Sequence, residues 1–388
     1  MNEANKTEPT LTLLSVLRLA AAFLIFQHHF YFYEQGAYPY ATTRYYEILF
    51  SEGHIGVVIF FTLSGFLLMY RHGELRHTRQ ILMFYKKRLA RLILPYWIVF
   101  LLTFLHASRM PVPDDIYAGL LLHSIFPNAG FRVIVVGWAL SAELFFYICF
   151  PLIARLFQLC HQYTGRFAWP VSAIIGCCIE ILFRNVVDQL DSNTPSSIHY
   201  WRYHTFWGAF AAFYAGVFAG GMFLAYYEKK SRQDNQIPGD AITNFFSIIA
   251  RTSRVISPIF LFLLCVSWYH HFGGYSYPKS SLIDYLSIAS AAWLAYELAK
   301  ISPNAVSRSV IFQISLGSYE FLILHASLLL APVFTIIQDN VSAVRSAYLI
   351  VCILLASALR LMSVWISKAI GNFTRMFLNI QKNRGATP

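Results

Sequence analysis

The chain has 388 residues, of which 57% are hydrophobic and only 13% charged. A soluble domain carries roughly 25% charged residues, so too few ionisable groups are present to cover a water-facing surface. That excludes a soluble enzyme, a disordered protein and a secreted disulfide scaffold. It leaves an all-α polytopic integral membrane protein, because the apolar stretches run continuously and do not alternate as barrel strands do. The net charge of +11 then bears on which way the loops face, not on a nucleic-acid partner.

In chain order, the N-terminal MNEANKTEPT lacks the basic start of a signal peptide. The apolar stretch after it is too long for a signal core, so it is expected to remain as the first spanning helix. Runs of ~20 mostly apolar residues predict ten spans, at about 11–33, 53–70, 92–107, 133–154, 168–183, 204–227, 255–271, 282–301, 311–333 and 344–366. The run 116–126 is too short to span and is read as re-entrant or interfacial. No internal repeat stands out, so residues 1–388 read as a single membrane domain with a basic tail at 367–388. With the N-terminus placed in the cytoplasm, Lys and Arg fall about three to one on the cytoplasmic side, which predicts both termini inside and an even number of spans. The six cysteines show no CxxC metal spacing and read as small buried hydrophobes.

A charge at mid-bilayer costs ~2.5–3.5 kcal/mol on insertion scales, so each one needs a partner or a task. In the first helix Arg18 and His29 are eleven residues apart, about three turns, and share a face. Arg18 lies towards the inner end and His29 towards the outer. Simple snorkelling of the Arg and interfacial placement of the His is the competing reading. Ser64, with Gly53, Gly56 and Gly65, permits close helix packing in the second helix. Lys87, Arg88 and Arg91 meet the membrane at the start of the third. There they serve either as ordinary positive-inside flanks or, through Arg88 and Arg91 on one face, as an anion site suited to pyrophosphate. Pro95 is expected to kink that helix.

Glu143 in GWALSAELFFYICFP falls near mid-bilayer with no cation at i±3 or i±4, so its partner must come from another helix. His325, in the outer half of the ninth predicted helix, either lines a cavity with His29 or makes a helix–helix hydrogen bond. Glu180, Asp284, Glu297 and Arg360 lie near helix ends and are assigned no chemistry. In the segment 184–203, Tyr200, Trp201 and Tyr203 form either an interfacial aromatic belt or a surface for stacking sugar rings.

Taken together and in this order, these blocks resemble the membrane acyltransferase-3 family of O-acyltransferases. The resemblance rests on Arg18 with His29, FFxLSGF at Phe60–Phe66, RxxRxxxP from Arg88 to Pro95, WxLSxExxFY from Trp138 to Tyr147, and SYEFLILH ending at His325. It covers about residues 11–330. It implies about ten helices with both termini cytoplasmic, in a bacterial inner membrane. It also implies transfer of an acyl group, usually acetyl, from cytoplasmic acetyl-CoA to a hydroxyl of an extracytoplasmic glycan or lipid-linked sugar. Carried over by motif, His29 and Arg18 are essential, and Arg88 and Arg91, with Lys87 beside them, form the donor-binding element. The chain resembles the stand-alone form without an appended esterase-like domain. Ala142 and Leu144 depart from the family pattern, which has more polar neighbours beside the Glu.

A thioester is already activated, so the enzyme must position it, remove the acceptor proton and stabilise an oxyanion. The expected base is His29, with a covalent acetyl-imidazole as the variant. Glu143 is expected to orient the imidazole or a water, and Arg18 to hold the donor or balance Glu143. Ser64, Trp138, Ser141 and His325 are expected to line the cavity. No metal is expected, and the oligomeric state is left open. The competing classes are O-acylation of a small-molecule acceptor, a proton-coupled transporter or flippase, and a non-catalytic scaffold.

Overall fold

The fold is described from a computed structural model of the chain. It covers residues 11–37, 53, 55–106, 110, 112–126, 132–192, 201, 203–233, 252–261, 263–265, 279–301, 318–325, 349–366 and 368. Among these residues there is no β-strand. The helices are α1 (Thr12–Ala37), α2 (Ile55–His72), α3 (Thr78–His106), the short α4 (Pro113–Gly119), α5 (Gly137–Thr164), α6 (Ala168–Ser192), α7 (Phe206–Gln233), α8 (Thr252–Cys265), α9 (Lys279–Ala299), α10 (Ser318–Leu324) and α11 (Leu349–Ile366). Seven of them, α1–α3, α5–α7 and α11, are long and apolar enough to cross a membrane. The helices α8, α9 and α10 fall on three further runs expected from the sequence, although only 318–325 of the run 311–333 lies among the described residues. The tail beyond 368 and Tyr200 lie outside them.

Leu105, Leu152, Leu354 and Leu361 are all well exposed on helix faces. Such a surface is an aggregation hazard in water and the natural lipid-facing side in a bilayer. The protein is a multi-pass membrane protein. All six cysteines are free; Cys265 and Cys352 are buried as expected, but Cys177 and Cys178 are exposed on α6.

The third helix differs from its sequence reading. It begins at Thr78, so the basic YKKRLAR stretch lies within its first half, and the 29-residue helix continues through Pro95. Lys and Arg lower hydropathy but are good helix formers, so hydropathy locates the membrane rather than the helix end. Pro95 costs a backbone hydrogen bond, which membrane helices tolerate where neighbours pack around the freed carbonyl; Pro95 is buried. The helix α5 likewise continues through Pro151 to Thr164.

The helix α2 lies between α1 and α7, and glycine sets both distances. A Cβ on Gly56 would sit 2.6 Å from the Ala21 carbonyl oxygen of α1. On the other face, a Cβ on Gly65 would overlap the Phe213 carbonyl oxygen, and one on Gly216 would overlap that of Thr62. Backbones in contact at this range maximise dispersion, which drives helix association where lipid is as apolar as the side chains. Aromatic rings fill the opposite side, with Phe146 stacked on Phe213 at 4.2 Å and Phe61 edge-on to Trp138.

The segment 113–126 folds back into the protein. Leu121 adopts a positive φ of 57° where the chain leaves α4. Its polar groups are met by the flanking helices: Tyr96 Oη donates to the Ala118 carbonyl at 2.6 Å, and the Ser124 amide donates to Ser141 Oγ at 3.0 Å. Arg132 pairs with Asp115 at 3.0 Å. His123 and Ser124 are fully buried against the start of α5. Irregular backbone is tolerated in or near a bilayer only when protein satisfies it in this way.

Candidate functional site

Four helices converge on a small cavity towards the N-terminal end of α1, labelled inner here, with the His29 end of α1 labelled outer. Arg18 comes from α1, Ser64 and Arg71 from α2, Arg88 and Arg91 from α3, and Glu143 and Tyr147 from α5. The cavity volume is about 20 Å³, room for about one water. Its carboxylate is held from two sides. Ser64 Oγ donates to Glu143 Oε1 at 3.2 Å, and Tyr147 Oη donates to the same oxygen. Gly65 fixes this contact, because the close α2–α7 approach sets the rotation of α2 that turns Ser64 towards α5. Glu143 is 2% exposed, and among the described residues its second oxygen, Oε2, receives no hydrogen bond.

Of the cations around it, Arg18, Arg88 and Arg91 are partly buried, and Arg71 is exposed at the end of α2. Arg18 lies over the Phe60 ring at 5.6 Å, and its Nε has no acceptor among the described residues. Arg88 Nη2 donates to His72 Nε2 at 2.9 Å, since a guanidinium offers only donors. Its guanidinium also lies over Phe84 and Tyr147. Glu320, buried on α10, is an electrostatic neighbour of Arg91 and Arg360. The cavity therefore sets four guanidinium groups against one carboxylate. An excess of positive charge in a low-dielectric site favours an incoming anion, and fixed forks suit phosphate oxygens.

Along α1, about 16 Å further out at 1.5 Å rise per residue, the chemistry changes. His29 Nδ1 lies 2.9 Å from Nε2 of His325, with ring centroids 5.1 Å apart. His325 is 1% exposed, and its Nδ1 is 3.2 Å from the Phe321 carbonyl oxygen one turn back. Phe26 and Phe321 flank its ring. His28 sits beside His29 with its ring tilted 55° to it. A separate outer cavity of about 100 Å³ is lined by Phe61, Trp138, Arg184, Tyr203, His204 and Asp284 among others. The His204 ring meets Trp138 edge-on at 4.7 Å there.

These contacts sort the residues expected from the sequence. Arg18, Ser64, Arg88, Arg91 and Glu143 come together in the inner cavity; His29 and His325 come together outside it. Trp138 lines the outer cavity. Lys87 is exposed and is not among the residues lining either cavity. Ser141 is engaged by Ser124, with the two hydroxyls 2.8 Å apart, and so anchors the 113–126 segment. The structure does not join Glu143 to His29: Ser64 and Tyr147 hold the carboxylate, and His325 holds the imidazole.

Four residues at the site escaped the sequence reading. Tyr147 stands at i+4 from Glu143 and so shares its face; a hydroxyl carries no charge, so charge patterning does not single it out. Arg71 and His72 end α2 and read as flanking charge. Glu320 had no visible partner, because Arg91 and Arg360 reach it from distant segments.

Residues 12–364 match the acyltransferase-3 family, described as an acyltransferase domain. No curated protein matches the chain, and no solved structure does. The match covers nearly the whole chain and takes in both the inner cluster and the histidine pair: the chain belongs to the acyltransferase-3 family of membrane acyltransferases.

Proposed function

We propose that the protein is an O-acetyltransferase that takes the acyl group of cytoplasmic acetyl-CoA and delivers it to a hydroxyl of an extracytoplasmic glycan, such as a lipopolysaccharide, capsule or exopolysaccharide sugar. In this reading it crosses a bacterial inner membrane about ten times with both termini inside. The observation that carries it is the polarity of one helix face. A cation-rich cavity surrounds the inner end of α1 at Arg18, and an imidazole pair stands about 16 Å further out at His29. The excess of positive charge in the inner cluster supports reading this end as the one that draws the CoA phosphates. The acyl-bearing arm is the part of the donor that would extend outward, leaving the nucleotide on the cytoplasmic side.

His29 then takes the proton of the acceptor hydroxyl as its oxygen attacks the thioester carbonyl. The tetrahedral intermediate collapses with cleavage of the C–S bond, and the imidazolium returns its proton to the thiolate. General-base catalysis of this kind contributes ~10²–10⁴-fold. Glu143 acts at the inner end, balancing the guanidinium groups with the Ser64 and Tyr147 hydroxyls.

The test uses purified, detergent-solubilised protein with radiolabelled acetyl-CoA, comparing wild type with His29→Ala. Donor binding and slow hydrolysis in wild type, with hydrolysis lost in the variant, is the expected result. Folded wild type that neither binds nor hydrolyses acetyl-CoA would overturn the donor assignment, and hydrolysis retained in His29→Ala would overturn the base.

A further inference from the structure

The contact between His29 and His325 has a direction. A backbone carbonyl only accepts, so the His325 Nδ1 that faces Phe321 O at 3.2 Å carries the proton. In the neutral ring the lone pair then lies on Nε2. That nitrogen faces His29 Nδ1 at 2.9 Å, so His29 Nδ1 supplies the hydrogen of this bond. One nitrogen remains, and His29 Nε2 is left with the lone pair. We propose that His325 is a positioning residue: anchored on the Phe321 carbonyl, it holds His29 in the Nδ1–H tautomer and so makes Nε2 the nitrogen that meets the acceptor hydroxyl. This rests on reading His29 as the base.

The surroundings support a built relay over incidental packing. His325 is 1% exposed, so water does not compete for its ring. The Phe321 carbonyl also accepts the His325 backbone amide at 3.1 Å, which ties ring and chain to one oxygen. Stacking alone would leave the tautomer open; the chain of two hydrogen bonds does not. During turnover Nε2 gains the hydroxyl proton and later gives it to the leaving thiolate. His29 keeps its Nδ1–H bond to His325 throughout, and His325 neither gains nor loses a proton.

The test compares His29→Ala, His325→Phe and His325→Gln, each checked for a monodisperse folded peak in detergent, by acetyl-CoA hydrolysis and by transfer. His325→Phe keeps the volume and offers no acceptor; His325→Gln restores an oxygen that can accept from Nδ1. Expected are loss of activity in His29→Ala, a fall in kcat of about tenfold or more with unchanged acetyl-CoA KM in His325→Phe, and substantial recovery in His325→Gln. An inactive His29→Ala beside a fully active His325→Phe would overturn the positioning role alone, whereas an active His29→Ala would overturn the base itself. Equal loss in the Phe and Gln variants would also overturn the positioning role, since an acceptor restored to His29 Nδ1 would then recover nothing. Should His325→Phe fail to fold, ¹⁵N spectra of histidine-labelled wild type decide: an Nδ1–H tautomer at His29 is the expected signature, and an Nε2–H tautomer contradicts it.

Discussion

Arg18 and His29 stand on the same face of α1, about 16 Å apart, and the protein surrounds them differently. Around Arg18 it assembles charge: three more arginines, one buried carboxylate and two hydroxyls that hold the carboxylate. Around His29 it assembles a second imidazole and aromatic rings, with a backbone carbonyl behind them. The inner end thus keeps ions inside a membrane protein by giving them partners, which is the condition under which they persist there. The outer end instead arranges lone pairs and N–H groups. In the proposed function, one end grips an anion and the other moves a proton. A reaction across a bilayer can use both if its substrate is long enough to reach from one to the other.

That contrast breaks most sharply at His29. His29→Ala is expected to lower turnover by ~10²–10⁴-fold while acetyl-CoA binding, measured by equilibrium dialysis, is retained; loss of binding would mean that the two ends do not divide the work. Next in size is the double variant Arg88→Ala with Arg91→Ala. It is expected to raise the acetyl-CoA KM by about 10- to 100-fold, in line with the loss of one or two charged hydrogen bonds, with kcat changed far less. An unchanged KM would remove the inner cluster from donor binding.

Tyr147→Phe tests how the carboxylate is held. It removes one of two donors to Glu143 Oε1 and is expected to cost about 1–3 kcal/mol, read as a lower unfolding temperature in detergent. Ser64→Ala, which removes the longer bond at 3.2 Å, should cost less. Smallest under ordinary assay conditions is a pH effect away from both ends. Burial pushes His123, in the 113–126 segment, down to about 4 from its ordinary 6.5, outweighing a hydrogen bond with the Arg132 backbone. The unfolded chain binds this proton more readily, so the stability present above pH 6.5 is lost as pH falls from there towards 4. The loss is at most about 3 kcal/mol, and His123→Phe should reduce the acid sensitivity of the unfolding temperature.

Much of this arrangement was legible in the residues. Continuous apolar runs marked the spans, because a bilayer imposes a length and a polarity on any helix that crosses it. Arg18 and His29 could be put on one face by helical periodicity alone, and Arg88 and Arg91 likewise. Helix ends were less legible. Hydropathy starts the third span near residue 92, whereas α3 begins at Thr78, because the backbone hydrogen bonds of a helix do not depend on apolar side chains. Lys87 and Ser141 were grouped with the site by proximity in sequence; the structure turns Lys87 outward and gives Ser141 to the 113–126 segment.

Membrane residence, helical class and family resemblance follow from the sequence itself, since they depend on composition, local period and short motifs. Which of those residues meet was decided only by tertiary structure. Glu143 was expected to serve His29, yet it is held by Ser64 and Tyr147, and His29 is held by His325, 296 residues away. The physical reason is that such pairings depend on the rotation and depth of packed helices. Those are set by contacts such as Gly65 against the Phe213 backbone, where a fraction of a turn determines which side chain faces which.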